Sequence, residues 1–481
     1  MSQATSPTLS AARVLATVGE FDRSPAYAGL AEALVEAIGD GRLGQGARLP
    51  SERDLTAALG VSRTTVTRAY ALLRDQGYAE ARHGSGTYTR LPHDRGRAHD
   101  RVLLPHPDQG VVDLTCAAAS SPPGLLAAFT EAAGDLPAYL GGHGYFPAGL
   151  PPLQEAIAAS YAARGLPTAP DQIIVTPGAL SAAAIVARAV TGRGSRVLVE
   201  SPVYPNATEA IRNAGARLVP GPVDVDGWDL DAVGGVLRQV RPAAAYLVPD
   251  FQNPTGHLMT EAQREVYAGH LRAAGTVAIA DESLQALHLD GGPMPRPFAA
   301  FAPDTITIGS ASKAFWGGLR LGWIRAPRAR VEEIVHARLV LDLGAPVLEQ
   351  LVLARLLARG PVPAEHLDRL RAQRDGLAEA VAEHLPSWSF VRPAGGLSLW
   401  CRLPLARASA LAVEAERRDV VITPGPVFAV AGGLDRFVRL PFARPVDDLR
   451  LAVPRLAEAW SVVADGAPSP VPRGRDRVLV A

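Results

Sequence analysis

The chain has 481 residues, of which 20% are charged, and its 48 Lys and Arg residues balance 48 Asp and Glu residues. A net charge of zero creates no long-range field that would favour nucleic acid, so any DNA binding must come from a local module. The length exceeds what one ordinary hydrophobic core organises, and we therefore expect two or three domains.

The sequence shows no sign of secretion or of a membrane span. Its first ten residues are polar, and no uninterrupted apolar run reaches the length of a bilayer-spanning helix. The two cysteines, Cys116 and Cys401, lie far apart without metal-ligand spacing, which is typical of buried thiols in a reducing compartment. These features predict a cytoplasmic protein without a metal site.

The N-terminal region begins without a clear pattern. Residues 1 to about 23 lack periodicity, whereas apolar residues from Tyr27 recur at helical spacing until a Gly-Asp-Gly stop at 39–41. The first predicted helix therefore begins near Tyr27.

Two short helices and a hairpin are predicted next. One helix follows Pro50, Gly60 marks a tight turn, and a second helix covers 63–73. Short strands at 77–81 and 86–89 form a hairpin beside them. The spacing predicts a helix-turn-helix with a wing.

Three motifs in this region resemble the winged helix-turn-helix of the GntR regulator family: Leu-Pro-Ser-Glu-Arg at 49–53, Gly-Val-Ser-Arg-Thr-Thr-Val at 60–66 and Arg-His-Gly-Ser-Gly-Thr at 82–87. We place this domain at residues 23–91. The resemblance implies binding to double-stranded DNA, with these contact residues: Arg53, Ser62, Arg63, Thr64, Thr65, His83 and Gly84.

The physical chemistry of the second helix agrees with DNA binding. Ser62 is a good N-cap, which puts Arg63, Thr64 and Thr65 at the end that a recognition helix presents to base edges. Arginine can grip a guanine edge at two points, and threonine suits base edges or phosphate. The alternative is a structural winged helix that binds protein.

The rest of the chain forms a second, larger unit. Residues 92–111 predict a linker, 112–465 alternate helices with strands, and 466–481 predict a mobile tail. This alternation predicts an α/β fold with a mostly parallel sheet flanked by helices, and a smaller α+β lobe from about Pro361.

A phosphate site is predicted early in this unit. The apolar strand at 172–176 is followed by Pro-Gly and by a helix that begins at Ala179 and Leu180. A strand, a glycine turn and a helix N-terminus together favour phosphate binding.

Lys313 is the only lysine in the chain, although arginine is abundant. Arginine serves wherever only charge is needed, but a Schiff base requires a primary amine. The lysine follows an apolar strand at 305–308, and catalytic groups lie at such strand ends. We therefore expect Lys313 to hold a cofactor covalently; the alternative is a surface lysine.

Three stretches at predicted strand ends carry the second resemblance: Pro-Asp-Phe-Gln-Asn-Pro-Thr-Gly at 249–256, Ala-Asp-Glu-Ser at 280–283 and Ser-Ala-Ser-Lys at 310–313, followed by Gly-Leu-Arg. Together they resemble the fold-type-I pyridoxal 5′-phosphate (PLP) proteins of the aspartate aminotransferase superfamily. With the GntR-like region in front, the chain resembles the MocR regulators.

This resemblance implies a role for each residue. Lys313 would bind PLP and move protons, Asp281 would pair with the pyridine nitrogen, and Asn253 would donate to the ring phenol oxygen. The phosphate would be held by the following groups: the backbone N–H groups of Ala179 and Leu180, the hydroxyls of Ser310 and Ser312, and Arg320.

Further roles follow from the same resemblance. Arg439 lies where the family carries its substrate-carboxylate arginine, and Tyr204 would line the ring face. Tyr145 would reach the cofactor phosphate of the other subunit of a homodimer. The alternatives are a surface strand residue for Arg439 and ordinary core or interface tyrosines for the other two.

One position departs from the family. The tyrosine usually found two residues after the aspartate is Ser283 here, and its short hydroxyl is not expected to reach the ring phenol. We therefore expect a PLP-dependent transcription regulator that senses an amino compound or PLP itself, with weak transamination. The alternative is a working aminotransferase that carries a DNA-binding domain.

Overall fold

The computed structural model describes residues 8–39, 42–44, 46–82, 85–92 and 111–466. The helices are α1 Ala11–Val18, α2 Ala26–Gly39, α3 Glu52–Leu59, α4 Arg63–Asp75, α5 Leu125–Asp135, α6 Pro151–Ala163, α7 Ala179–Val190, α8 Pro205–Asn213, α9 Leu230–Val240, α10 Glu261–Ala274, α11 Ala311–Ala314, α12 Arg328–Leu339, α13 Val347–Ala358, α14 Ala364–His384, α15 Ala408–Glu416 and α16 Val446–Ala464. The strands are β1 Ala79–Arg82, β2 Gly86–Thr89, β3 Val112–Leu114, β4 Ile173–Thr176, β5 Arg196–Ser201, β6 Arg217–Asp224, β7 Gly227–Trp228, β8 Ala244–Leu247, β9 Val277–Asp281, β10 Ile306–Ser310, β11 Gly322–Arg325, β12 Ser398–Arg402, β13 Val420–Pro424 and β14 Phe437–Pro441.

The N-terminal part, which we call the head, consists of α1 to α4 and the antiparallel hairpin β1–β2 around its own core. Helix α1 was not predicted from the sequence. It is only eight residues long, and Ser10 caps it by accepting from the Arg13 N–H at 3.2 Å. Its two buried residues, Val14 and Val18, are too few to produce a visible period.

The predicted helix-turn-helix is present in the head as α3 and α4. Ser51 and Ser62 cap the two helices with their hydroxyls, and Gly60 closes α3 in the left-handed conformation with φ 63°. A side chain at such a φ would be strained, so glycine is suited to this turn.

The large sheet of the body has eight strands in the order β4-β11-β10-β9-β8-β5-β6-β7. The five central strands, β10 to β6 in that order, run parallel, while β11, β4 and β7 join through antiparallel pairs. The prediction of an α/β fold with a mostly parallel sheet is confirmed.

The C-terminal lobe has a four-stranded sheet in the order β12-β14-β13-β3, covered by α14, α15 and α16. Strand β3 pairs in parallel with β13, so the first strand after the head belongs to the last lobe of the chain. The predicted linker at 92–111 and tail at 466–481 fall almost wholly on residues 93–110 and 467–481, outside the described residues.

The head packs directly against the C-terminal lobe. The Tyr78 hydroxyl donates to the Asp435 carboxylate at 3.1 Å, and the Asp435 N–H donates to the Gly39 carbonyl at 3.1 Å. Both side chains are almost fully buried. A Cβ on Gly39 would lie 2.9 Å from the Ala406 Cβ, so the two parts touch closely.

Two ion pairs surround this contact. Glu32 on α2 lies 2.6 Å from Arg407, and Glu36 on the same helix lies 3.3 Å from Arg436. The head is thus held to the lobe by a buried hydrogen bond with charged side chains at its edge.

None of the helices in the described ranges is both long enough and apolar enough to cross a membrane.

Candidate functional site

A cavity of about 210 Å³ lies at the carboxyl ends of β8, β9 and β10. Ligands of α/β sheets bind at this edge of the strands. All the residues predicted to contact the cofactor line it: Ala179, Leu180, Tyr204, Asn253, Asp281, Ser310, Ser312, Lys313 and Arg320. Segments that are far apart in the sequence therefore meet at one place, as the motifs predicted.

Lys313 lies on the short helix α11, directly after β10. Its Nζ donates to the Ala117 carbonyl at 2.9 Å. Burial lowers the pKa of its amine to about 8. An appreciable fraction of the amine is therefore neutral near pH 7, which is the form that attacks a carbonyl.

Asp281 ends strand β9 with its side chain in the cavity wall. Its Oδ1 accepts from the Ser283 N–H at 2.9 Å, and its Oδ2 accepts from the Tyr246 hydroxyl at 2.5 Å. The carboxylate is thus fixed by one donor on each oxygen.

Asn253 lines the cavity and contacts Arg439, which belongs to strand β14 of the C-terminal lobe and lies behind this lining rather than in it. Arg439 Nη1 donates to Asn253 Oδ1 at 3.2 Å, and its Nη2 donates to the Thr115 carbonyl. This orients the asparagine so that its Nδ2 donor is left for the cavity. Phe251, two residues before, has φ 51°, an uncommon conformation that turns the loop toward the site.

Arg439 is fully buried, so it is not a surface strand residue. Its guanidinium lies 5.0 Å from the ring centre of Phe428, and its Nε has no hydrogen-bond partner among the described residues. No carboxylate in the ranges that the structure describes lies within ion-pair distance of the Arg439 guanidinium. Burial lowers its pKa to about 10, which reflects the cost of this uncompensated charge.

The end of the cavity at the start of α7 is rich in donors. Helix α7 begins at Ala179 with no side-chain cap, so the N–H groups of Ala179 and Leu180 remain available. Arg320 reaches the same place, since a Cβ on Gly178 would lie 3.1 Å from its Nη2. Gly178 has φ 100°, which favours glycine, and this end suits a phosphate group.

The hydroxyls of this end come from the turn before Lys313. Ser310 caps α11 by accepting from the Ser312 N–H at 3.2 Å, and both serines line the cavity. A Cβ on Gly322 would lie 2.6 Å from the Ala179 nitrogen and 2.9 Å from the Gly309 carbonyl oxygen, so the turn that carries these serines lies next to the start of α7.

Ser283 also lines the cavity, and its Oγ has no hydrogen-bond partner in the ranges that the structure covers. Tyr204 lines another part of the wall, where its hydroxyl accepts from Asn206 at 2.9 Å. The hydroxyl of Tyr204 is therefore engaged, and this tyrosine is suited to covering a ring face.

The predicted DNA-contact residues form an exposed surface on the head. The Arg63 side chain is 80% exposed, and Arg53 and Thr64 are exposed as well. Ser62 caps α4 through the Thr65 N–H at 3.1 Å, as predicted. His83 and Gly84 lie outside the described residues.

One residue of this surface was not predicted. The Glu52 carboxylate lies 3.7 Å from Arg63 and accepts from the Thr67 hydroxyl at 2.8 Å. It therefore restrains the arginine that was predicted to contact guanine. Its position within the Pro-Ser-Glu-Arg motif was the available signal.

Sequence reasoning also missed three groups in the cavity wall or directly behind it. They are Tyr246, which donates to Asp281, and the carbonyls of Thr115 and Ala117, which accept from Arg439 and Lys313. Tyr246 stands in an apolar strand without a motif of its own. The two carbonyls come from a loop that is remote in sequence and carries no distinctive residues.

Comparison with protein families gives two matches. Residues 122–456 match the family "Aminotransferase class I and II", and residues 26–89 match "Bacterial regulatory proteins, gntR family". The first match covers more than half of the chain.

Individual relatives match most of the chain. The chain is 30% identical to the HTH-type transcriptional regulator YdcR of Escherichia coli, over 86% of this chain and 94% of YdcR. It is 29% identical to the HTH-type pyridoxine biosynthesis transcriptional regulator PdxR of Corynebacterium glutamicum, over 76% of this chain and 81% of PdxR.

Among solved structures, the body resembles the alpha-aminoadipate aminotransferase LysN of Thermus thermophilus, solved with N-(5′-phosphopyridoxyl)-L-leucine. The TM-score is 0.67 at 29% identity, covering 74% of this chain and 94% of LysN. The similarity thus extends over nearly the whole length of an aminotransferase.

Proposed function

The chain belongs to the aminotransferase class I and II family and carries a gntR-type DNA-binding domain in front of it, as the MocR- and PdxR-type regulators do, and on this premise we propose that its cavity senses an amino compound. The protein is a DNA-binding transcription regulator with a PLP-dependent aminotransferase-like body.

The cavity residues fit PLP. The uncapped start of α7, with Arg320 beside it, offers donors for a phosphate. Asp281 offers a buried acceptor for a pyridine N–H, and Lys313 offers the amine for covalent attachment. Bound PLP would supply a ring that withdraws electrons from the amino carbon of a ligand.

The residues around that ring would each have one task. Lys313 would hold the cofactor and, once displaced by a ligand amine, hold or return a proton at its Nζ. Asp281 would keep the ring nitrogen protonated, and Asn253 Nδ2 would donate to the phenol oxygen. Tyr204 would exclude water from one ring face.

Arg439 is the observation that supports an amino-acid-like ligand. A buried guanidinium without a carboxylate partner is costly, and the cost is removed when an anion binds. A ligand carboxylate on Arg439 would bring the ligand amine toward Lys313, because the two side chains donate to carbonyls only two positions apart, those of Thr115 and Ala117. An α-amino carboxylate carries both groups on one carbon.

We propose that two chains form a homodimer through an apolar surface made by the segments at 139–146 and 339–344. Its exposed apolar residues are Leu140, Tyr145, Leu339, Val340, Leu341 and Leu343. The segment at 339–344 lies against the loop at 139–146, because a Cβ on Gly344 would be 2.9 Å from the Phe146 carbonyl oxygen. Exposed apolar groups of this kind are typical of a covered surface.

The dimer would place two heads on paired half-sites of an operator. Tyr145 would then be able to approach the partner's cavity. Sedimentation velocity of the purified protein tests the assembly.

The head–lobe contact gives a direct route from the cavity to the head. Arg439 lies on β14, and this strand begins two residues after Asp435, which binds Tyr78 of the head. A ligand that displaces Arg439 would therefore also displace the neighbouring segment, whose Asp435 binds the head. For regulation, the two states of this segment must bind DNA differently.

Turnover is the second candidate function, because the residues required for transamination are present in the cavity. Ser283 argues for a slow reaction, since its Oγ reaches no partner among the described residues and leaves the ring phenol with one donor fewer than a tyrosine would give. A long-lived bound state suits a sensor better than an enzyme.

The test uses an operator selected from a random DNA pool with the wild-type protein loaded with PLP. Fluorescence anisotropy then measures promoter affinity across a panel of amino acids and amines. Arg439→Gln should require about ten- to a hundredfold more ligand for the same response, because a charged hydrogen-bonding partner is lost. The matched control is Arg402→Gln, an exposed arginine of the neighbouring strand β12.

Cofactor attachment is measured on the same samples. Borohydride reduction should fix PLP on Lys313 in both arginine variants, and Lys313→Ala should carry no label. The proposal is overturned if no compound of the panel changes promoter affinity, or if Arg439→Gln responds like wild type.

A further inference from the structure

A buried tyrosine contacts the aspartate of the cavity. Tyr246 lies in β8 with its side chain 1% exposed, and its hydroxyl is 2.5 Å from Asp281 Oδ2. It lines the same cavity, although neither the motifs nor the family resemblance assigned it a role.

The contact leaves Asp281 able to bind a further donor. Each carboxylate oxygen accepts one hydrogen bond, from Ser283 N–H on Oδ1 and from Tyr246 on Oδ2. A carboxylate has about four acceptor positions, so two remain. Burial, and then the charge of Asp281, raises the pKa of Tyr246 well above its ordinary value, so the phenol remains a donor at neutral pH.

We propose that Tyr246 is a positioning residue for the cofactor: its hydroxyl fixes the Asp281 carboxylate so that a free lone pair meets the pyridine N–H. The inference rests on the proposed function, in which this cavity holds PLP. Tyr246 is the one side chain in the described part of the chain that donates to Asp281. Without it, the carboxylate would be anchored by a single backbone donor and could turn about its last torsion.

A purely structural role of Tyr246 would affect ligand binding in a different way. A core tyrosine that has merely found an acceptor would stabilise the fold, and its loss would weaken every ligand of the cavity alike. A positioning role acts through the ring nitrogen alone. The two roles are therefore separated by a ligand that lacks this nitrogen.

The experiment compares PLP with an analogue that has C–H in place of the ring nitrogen. Dissociation constants for both are measured by fluorescence titration of wild type, Tyr246→Phe and Tyr267→Phe. The last variant is the matched control, because Tyr267 is fully buried, has no hydroxyl partner among the described residues, and lies outside the cavity lining.

Tyr246→Phe should raise the dissociation constant of PLP about tenfold or more, since a hydrogen bond to a charged group is lost. The analogue should be affected by less than about threefold, and Tyr267→Phe should change neither ligand. The ratio of the two constants is taken on one preparation, so a loss of folded protein cancels. In an Asp281→Asn background, Tyr246→Phe should not change the ratio further.

Equal weakening of both ligands, or an unchanged ratio, overturns the inference and leaves the proposed function intact. A full additional effect in the Asp281→Asn background overturns it as well. If wild type binds no PLP, the proposed function fails first and this inference fails with it.

Discussion

Tyr78→Phe removes one hydroxyl from the contact between the head and the C-terminal lobe. In the wild type this hydroxyl lies 3.1 Å from Asp435 Oδ2 and 3.4 Å from the Ala406 carbonyl. The ring stays in place, so the core of the head keeps its volume. The change therefore tests the contact rather than the packing.

The free energy lost in Tyr78→Phe follows from the burial of this hydrogen bond and from the charge of Asp435. A hydrogen bond between a buried phenol and a carboxylate contributes about 1.5–3 kcal/mol, which is about a ten- to hundredfold change in an equilibrium. Asp435 keeps its bonds to the Ser409 N–H at 2.7 Å and hydroxyl at 2.6 Å, so the lower part of this range is expected. The docked head should become about tenfold less favoured.

Two measurements check the effect. Hydrogen–deuterium exchange should become faster in the peptide that contains the Asp435 N–H, which donates to Gly39 in the docked state. The ratio of promoter affinities with and without an amino ligand should move toward one, because the head is no longer tied to the lobe that carries Arg439.

The control is Tyr70→Phe, which removes a buried hydroxyl inside the head. That hydroxyl donates to the Pro50 carbonyl at 2.9 Å and does not contact the lobe. Tyr70→Phe should destabilise the head yet preserve the ligand response. If Tyr78→Phe keeps the wild-type exchange rate and ligand response, the contact does not couple the two parts.

Two further predictions concern DNA and pH. Arg63→Ala should weaken binding to a selected operator by about 1–3 kcal/mol. If Arg53 contacts phosphate, Arg53→Ala should weaken binding to all DNA sequences alike and reduce the slope of log affinity against log salt by about one. Anisotropy titrations at several salt concentrations distinguish the two variants, and wild-type binding by Arg63→Ala would disprove its role. Burial raises the pKa of Glu200 to about 7, with the opposing hydrogen bonds of Trp228 and Gln252 too weak to cancel it. The carboxyl group of Glu200 loses its proton near pH 4.5 in the unfolded chain but only near pH 7 in the folded chain. The free energy of unfolding should therefore fall by about 3 kcal/mol as pH rises from 4.5 to 7, and this group should cause no further change above pH 7. Glu200→Gln should flatten this part of the profile in thermal melts between pH 5 and pH 7.5, and an unchanged slope would contradict the argument.

The features that the sequence predicted well are local or depend on rare residues. Lys313 is unique in composition, and Asn253 and Asp281 follow apolar strands whose ends had to meet at one edge of a parallel sheet. The fold class followed from the alternation of helices and strands.

The features that were missed depend on long-range packing. Tyr78 and Asp435 are 357 positions apart, and nothing local in either segment indicates that they meet. Tyr246 is an aromatic residue in an apolar strand, a pattern that predicts only a buried side chain. Helix α1 has too few apolar residues to show its period, and it is stabilised by packing against the head.

The pairing of β3 with β13 determines where this protein can be divided. A fragment limited to the aminotransferase match at 122–456 would lack β3, which lies at 112–114, and would also cut α16 before its end at Ala464. Strand β13 would then become an open edge with unpaired backbone groups, and such edges recruit other chains. An isolated body should therefore begin before Val112 and extend past Ala464, and fragments trimmed to the family match should aggregate even though they retain every residue predicted to contact the cofactor.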